Sequence, residues 1–119
     1  MINGGNATIF VSDLDRAVQF YSDTLGLKLV YRAGPHWAEI DAGGMHIGLH
    51  PHGTDMPKPG THGSISVGLN VTQSIEGVVE TLKKRGVKFA GPIVDDKTVK
   101  LAHFGDPDGN ELYLCEVKK

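Results

Sequence analysis

The chain has 119 residues, 12 basic and 14 acidic, for a formal net charge of −2. That length supports one domain with a real core and is too short for two independent ones. The near balance of charge, with no basic run longer than Lys83-Lys84-Arg85, argues against nucleic acid as a partner. The opening residues lack the basic and apolar regions of a secretory signal, and no apolar run is long enough to span a bilayer, so a cytoplasmic protein with no membrane partner is expected. The single cysteine, Cys115, has no intrachain partner and sits in an alternating apolar run, where a thiol is expected to act as a small buried hydrophobe.

Ala7 to Val11 reads as a first strand, with Ala7, Ile9 and Val11 on one face and Asn6, Thr8 and Phe10 on the other. Ser12 is expected to cap a helix, with Asp15 at the capping-box spacing. Leu14, Ala17, Val18, Tyr21 and Leu25 then recur at helical intervals until Gly26 stops them. Leu27 to Arg32, Trp37 to Asp41 and Met45 to His50 read as strands, the last two joined at Gly43-Gly44, a dipeptide suited to a tight hairpin. Pro51 to Thr61, with three prolines and two glycines, breaks both periodicities and reads as a linker.

The pattern then repeats. Ser64 to Val71 is the next strand, and Ile75, Val78, Val79 and Leu82 mark the apolar stripe of a second helix closed by Gly86. Lys83, Lys84 and Arg85 fall in its last turn, where cations offset the negative end of the helix dipole. Strands are expected near Val87 to Phe89, around Ile93 to Asp95, at Val99 to Phe104 and at Glu111 to Val117. The last two are joined by Asp106-Pro107-Asp108-Gly109-Asn110, a turn whose aspartates, proline and glycine are there to shape a hairpin. The fold class is therefore α+β: two tandem βαβββ modules, about 5–52 and 63–118 with a linker at about 53–62, forming curved mixed sheets around a concave cleft.

Val11-Ser12-Asp13-Leu14-Asp15-Arg16-Ala17-Val18-Gln19-Phe20-Tyr21, the following Leu25-Gly26-Leu27, and Phe104-Gly105-Asp106-Pro107-Asp108-Gly109-Asn110 resemble the vicinal-oxygen-chelate superfamily of glyoxalases, bleomycin-resistance proteins, thiol transferases and extradiol dioxygenases. The resemblance covers nearly the whole chain and implies a fold rather than a particular chemistry. It also implies that metal-using members place one ligand on the first and one on the last strand of each module. Those positions fall here on Asn6, Gly48, Ser66 and Tyr113, none of them a usual transition-metal ligand. No metal or other cofactor is therefore expected, and a divalent metal stays the lesser alternative.

Other side chains offer partial substitutes. His46 and His50 alternate with Gly48, but residues four apart on a strand lie roughly 13 Å apart and cannot share one ion. His50 and His62 are the best remaining metal candidates, and His103 faces either way. Glu39 and Glu116 are the candidates for acid–base work: Glu116 has the opposite parity to Tyr113 and is expected to point toward the helix side or the rim, whereas Glu39 alternates with Trp37 and Asp41 beside the strand of His46 to His50.

The reading that follows is a protein, expected to be a homodimer, that binds a small organic ligand in the cleft. Phe10, Trp37 and Tyr113 supply apolar walls, with Asn6, Thr8, Glu39, His46, Gly48, His50, Ser66 and His103 around them. The resemblance implies the bleomycin-resistance branch, which binds without chemistry. The alternatives are a metal-dependent lyase, isomerase or dioxygenase with ligands outside the aligned positions, or a metal-free acid–base enzyme using Glu39 with a histidine.

Overall fold

A computed structural model, describing residues 1, 5–54, 57–61 and 65–118, shows two compact units, Met1–Thr61 and His62–Lys119. The first contains β1 (Asn6–Val11), α1 (Leu14–Val18, continued by a π-helical segment, Gln19–Thr24), β2 (Lys28–Ala33), β3 (Trp37–Asp41) and β4 (His46–Pro51). The second contains β5 (Val67–Asn70), α2 (Ile75–Lys84), β6 (Val94–Asp95), β7 (Val99–Gly105) and β8 (Glu111–Val117). Each unit is a βαβββ module with one four-stranded mixed sheet, in the order β1-β4-β3-β2 in the first and β5-β8-β7-β6 in the second. The first strand of each module runs parallel to the last, and the remaining pairs are antiparallel.

The two-residue period of the strands separates the faces. In the first module Ile9, Val11, Ala38, Ile40, Ile47 and Leu49 are buried with Leu14, Ala17, Val18 and Tyr21 of the helical segment. In the second, Val67, Leu69, Ala102, Phe104, Leu112 and Leu114 are buried with Ile75, Val79 and Leu82. Fully burying one such aliphatic side chain is worth about 1.5–3 kcal/mol, so these faces hold the modules together. Val78, expected in this stripe, is only half-buried.

Several boundaries differ from the sequence reading. Asp13, not Ser12, caps α1: its carboxylate accepts from the Arg16 amide at 3.1 Å, while the Ser12 hydroxyl takes a bond from the Arg16 guanidinium. The helix widens to a π turn after Val18, where the Ser22 hydroxyl donates to the Val18 carbonyl at 2.7 Å and competes with the main-chain ladder. The strand expected at Val87 to Phe89 reduces to a single bridge between Phe89 and Phe104. Cys115 is half-buried rather than buried.

The Asp106–Asn110 turn is built as its residues require. Asp106, buried, accepts from the Asp108 and Asn110 amides and from the Asn110 side chain, and Gly109 takes φ +83°. The carboxylate serves the hairpin. Among the described residues, no helix is long and apolar enough to cross a membrane.

Candidate functional site

The register of the first module brings most of the predicted site residues onto its helix-free face. Asn6 pairs with His46, Thr8 with Gly48 and Phe10 with His50 across β1 and β4, while Glu39 pairs with Gly48 and Asp41 with His46 across β3 and β4. Directly paired residues point to one face, so Asn6, Thr8, Phe10, Trp37, Glu39, Asp41, His46, Gly48 and His50 form a single surface.

Two arrangements organise it. At one end the Trp37 indole lies over Gly48, so closely that a Cβ on Gly48 would fall 2.0 Å from Trp37 Cη2. His50 closes this cluster, its ring 5.4 Å from that of Phe10 and 6.3 Å from that of Trp37, with Nδ1 donating to the Pro51 carbonyl at 2.8 Å. At the hairpin end, Glu39 Oε2 and His46 Nδ1 are 2.6 Å apart. The Glu39 hydrogen bond first, and the charge of Asp41 after it, hold the imidazole above its ordinary range. An open recess of about 540 Å³ lies here, lined by Asn6, Glu39, Asp41, Met45, His46 and the glycines of the hairpin.

The second module carries a related surface. Gly68 pairs with Tyr113 and His103 with Tyr113, which settles the facing of His103: it lies on the helix-free face, its ring 5.7 Å from the phenol. Tyr113 leans over Gly68, where a Cβ would fall 2.3 Å from Tyr113 Cζ. A recess of about 480 Å³ at the hairpin end is lined by His103, Gly105, Gly109, Glu111 and their neighbours. Ser66 stands just ahead of β5 and is exposed, and His62 lies outside the described residues. Glu116 points the other way, its carboxylate accepting from the Ile75 amide at the start of α2.

Aligning the modules on Val11, at the end of β1, and Val71, just after β5, makes Thr8 correspond to Gly68, Gly48 to Tyr113, Glu39 to His103 and His46 to Glu111. Asp41 and Glu111 thus share these faces and line the two recesses, although the expected cleft residues did not include them. The signal for them was the strand alternation itself, which puts Asp41 with Glu39 and Glu111 with Tyr113.

These positions do not fit a transition metal. Gly48 has no donor and its space is filled by an indole, Tyr113 is turned over Gly68, and Asn6 and Ser66 are weak neutral groups. Among the described residues, no three His, Cys, Asp or Glu side chains are grouped to hold an ion.

Paired βαβββ modules with mixed four-stranded sheets define the vicinal-oxygen-chelate class. Residues 5–114 match the model of the Glyoxalase/Bleomycin resistance protein/Dioxygenase superfamily, and the chain belongs to that superfamily. It is 30% identical to the lactoylglutathione lyase of Haemophilus influenzae, over 91% of this chain and 87% of the lyase. Among solved structures, it resembles a member of the same superfamily from Sphaerobacter thermophilus at 30% identity, with a TM-score of 0.80 and 98% of each chain covered. It also resembles TnmS3, an antibiotic binding protein from Streptomyces sp. CB03234, at 27% identity and a TM-score of 0.79, covering 99% of this chain and 98% of TnmS3.

Proposed function

We propose that this protein binds a small organic molecule on the helix-free faces of its sheets, as a homodimer and without the metal that many superfamily members use. The observation that carries this reading is the replacement at Gly48: where a metal-using relative needs a donor, this chain presents the face or edge of Trp37, flanked by Phe10 and His50. Aromatic walls with a few placed polar groups suit a planar, partly polar ligand. The likeness to an antibiotic binding protein, TnmS3, supports the same class of ligand.

Trp37 is the only tryptophan in the chain, so its emission reports directly on this surface. Titration with bleomycin and a panel of aromatic antibiotics, with and without EDTA, should give saturable quenching by at least one compound that the chelator leaves unchanged, and sedimentation should give a dimer. Tyr113→Phe should weaken a polar ligand by about 0.5–1.5 kcal/mol, the net worth of one hydrogen bond. The likeness to a lactoylglutathione lyase favours one rival reading, a metal-dependent lyase. Stoichiometric Ni, Zn, Mn or Fe in untagged protein, together with lactoylglutathione formation that EDTA abolishes, would replace the binding reading with that one.

A further inference from the structure

The hairpin end of the first module carries a feature that ligand binding at Trp37 does not require. Glu39, as a carboxylate, can only accept, so the hydrogen in the 2.6 Å contact sits on His46 Nδ1. That leaves Nε2 as the working nitrogen: a lone pair when the ring is neutral, a donor once it is protonated. Nε2 makes no hydrogen bond to any described residue, and His46 lines the recess together with Asn6. The Asn6 carbonyl oxygen is already taken by the Thr8 hydroxyl at 3.2 Å, so its amide hydrogens remain to donate.

The charges facing His46 are set by three strands. β3 contributes Glu39 and Asp41, β1 contributes only the neutral Asn6, and β2 places Lys28 opposite Asp41 and the Tyr31 phenol opposite Glu39. Asp41 Oδ1 is partly spent on the Gly43 amide at 2.8 Å. Two carboxylates beside one imidazole stabilise the imidazolium that forms when Nε2 takes a proton, and they repel an anionic substrate. The second module places the same two residue types at the corresponding positions, exchanged: His103 stands at the place of Glu39, its ring against Tyr113, and Glu111 at the place of His46, both lining a recess at the hairpin end. Packing of the sheets, which uses the opposite faces, does not call for an imidazole and a carboxylate at these two places in both modules.

We propose that His46, positioned by Glu39, is a proton acceptor for an uncharged small molecule that carries an acidic C–H or O–H and an oxygen that gains charge as the proton leaves, for the Asn6 amide to hold. His46 is the group that touches the substrate, and Glu39 is a positioning residue that fixes the tautomer.

The test uses 5-nitrobenzisoxazole, a neutral carbon acid whose ring opening needs only a base. Nε2 takes the carbon-bound proton, the C–H electron pair becomes the new C–N π bond of a nitrile, and the N–O bond breaks to release a coloured phenolate. The imidazolium then returns its proton to water. In EDTA-treated protein the rate should rise with pH as His46 loses its proton and then level off. His46→Gln should cut the rate by roughly tenfold or more, within the ~10²–10⁴-fold range of general base catalysis. Glu39→Gln should move the midpoint of the pH profile down, while His52→Gln should leave both rate and midpoint unchanged. Melting curves and Trp37 emission identify any variant that fails to fold, in which case His46→Asn serves instead. A merely structural pair would alter the melting temperature but not the pH midpoint. A wild-type rate no faster than free imidazole, a rate that survives loss of His46, or a midpoint indifferent to Glu39 would overturn the proposal. Antibiotic quenching of Trp37 is read separately, so the two readings fail independently.

Discussion

In the first module an indole reaches from β3 over a glycine on β4; in the second a phenol reaches from β8 over a glycine on β5. Both modules use a missing side chain to seat an aromatic ring, but they place ring and gap on different strands. The buried faces show no such divergence: Ile9, Ala38, Ile47 and Leu49 correspond to Leu69, Ala102, Leu112 and Leu114, apolar at every place. The difference teaches where each half of the sequence is constrained. The helix-covered faces must fill volume and so keep the same kind of residue, whereas the helix-free faces keep the geometry of the recess and vary its chemistry.

The largest effects should come from breaking what the modules share. Ile47 and Leu112 are 0% and 1% exposed at corresponding positions. Ile47→Ala and Leu112→Ala should each cost about 2–5 kcal/mol, the transfer loss plus the cavity left behind. If the chain unfolds as one domain, each variant lowers a single shared transition, followed equally by Trp37 emission, which belongs to the first module, and by far-ultraviolet circular dichroism. Two separated transitions would show that the modules unfold independently.

The ring-over-glycine pairs come next. Gly48→Ala and Gly68→Ala each add a Cβ within 3 Å of a ring, so the ring must rotate away, at about 1–3 kcal/mol for overpacking a fitted site. Only Gly48→Ala should change Trp37 emission in the absence of ligand. An emission change of equal size in Gly68→Ala would contradict the assignment of each ring to its own module.

The helix starts sharpen the comparison further. Asp13 caps α1 through its side chain, while α2 has the Ser74 hydroxyl on the Gly77 amide at 3.3 Å and the Glu116 carboxylate on the Ile75 amide at 2.8 Å. Loss of a cap costs about 0.5–2 kcal/mol. Asp13→Ala should therefore lie nearer the upper end and Ser74→Ala nearer the lower, with the difference removed in Ser74→Ala combined with Glu116→Gln. Urea midpoints measure all three.

How much of this was legible before the structure follows from what each signal encodes. The switch between two-residue and helical periods located both helices and all eight strands, β5 (Val67–Asn70) with looser bounds than the others, because burial on one face imposes those periods. Capping chemistry placed the first helix start only to within one residue, since Ser12 and Asp13 are both capping types and differ in which one the backbone leaves extended. Gly91-Pro92, just after Phe89, suits neither ladder nor helix, and the strand expected there shrinks to one bridge. Alternation assigned Trp37, Glu39, His46 and His50 to one face. It carries no information about which neighbour a long side chain lies over, so the indole on Gly48 and the Glu39–His46 contact required the pairing across the Gly43-Gly44 hairpin.

The smallest expected effect separates the modules by pH. Folding raises the His46 pKa through Glu39, so the folded chain holds that proton more tightly than the unfolded chain does. The pair's contribution is fully present below the ordinary imidazole value of 6.5 and is lost as pH rises through the higher folded value. The second module has the opposite sense. Lys100 lowers the Glu76 pKa and Lys118 lowers that of Asp95, so these contributions are present above the ordinary carboxylate range and are lost as pH falls through the lowered folded values. All of these pairs keep part of their surface in water, and salt should shrink each contribution. The difference in melting temperature between wild type and Glu39→Gln should therefore be greatest just below the ordinary imidazole value of 6.5 and fade as pH rises through the raised one. Over the same interval the difference between wild type and Glu76→Gln should stay constant and should fade only below about pH 4, where carboxylates protonate. Following the His46 Hε1 resonance across the same titration locates the folded pKa directly, and a midpoint in wild type no higher than in Glu39→Gln would show that the contact does not hold the proton in solution.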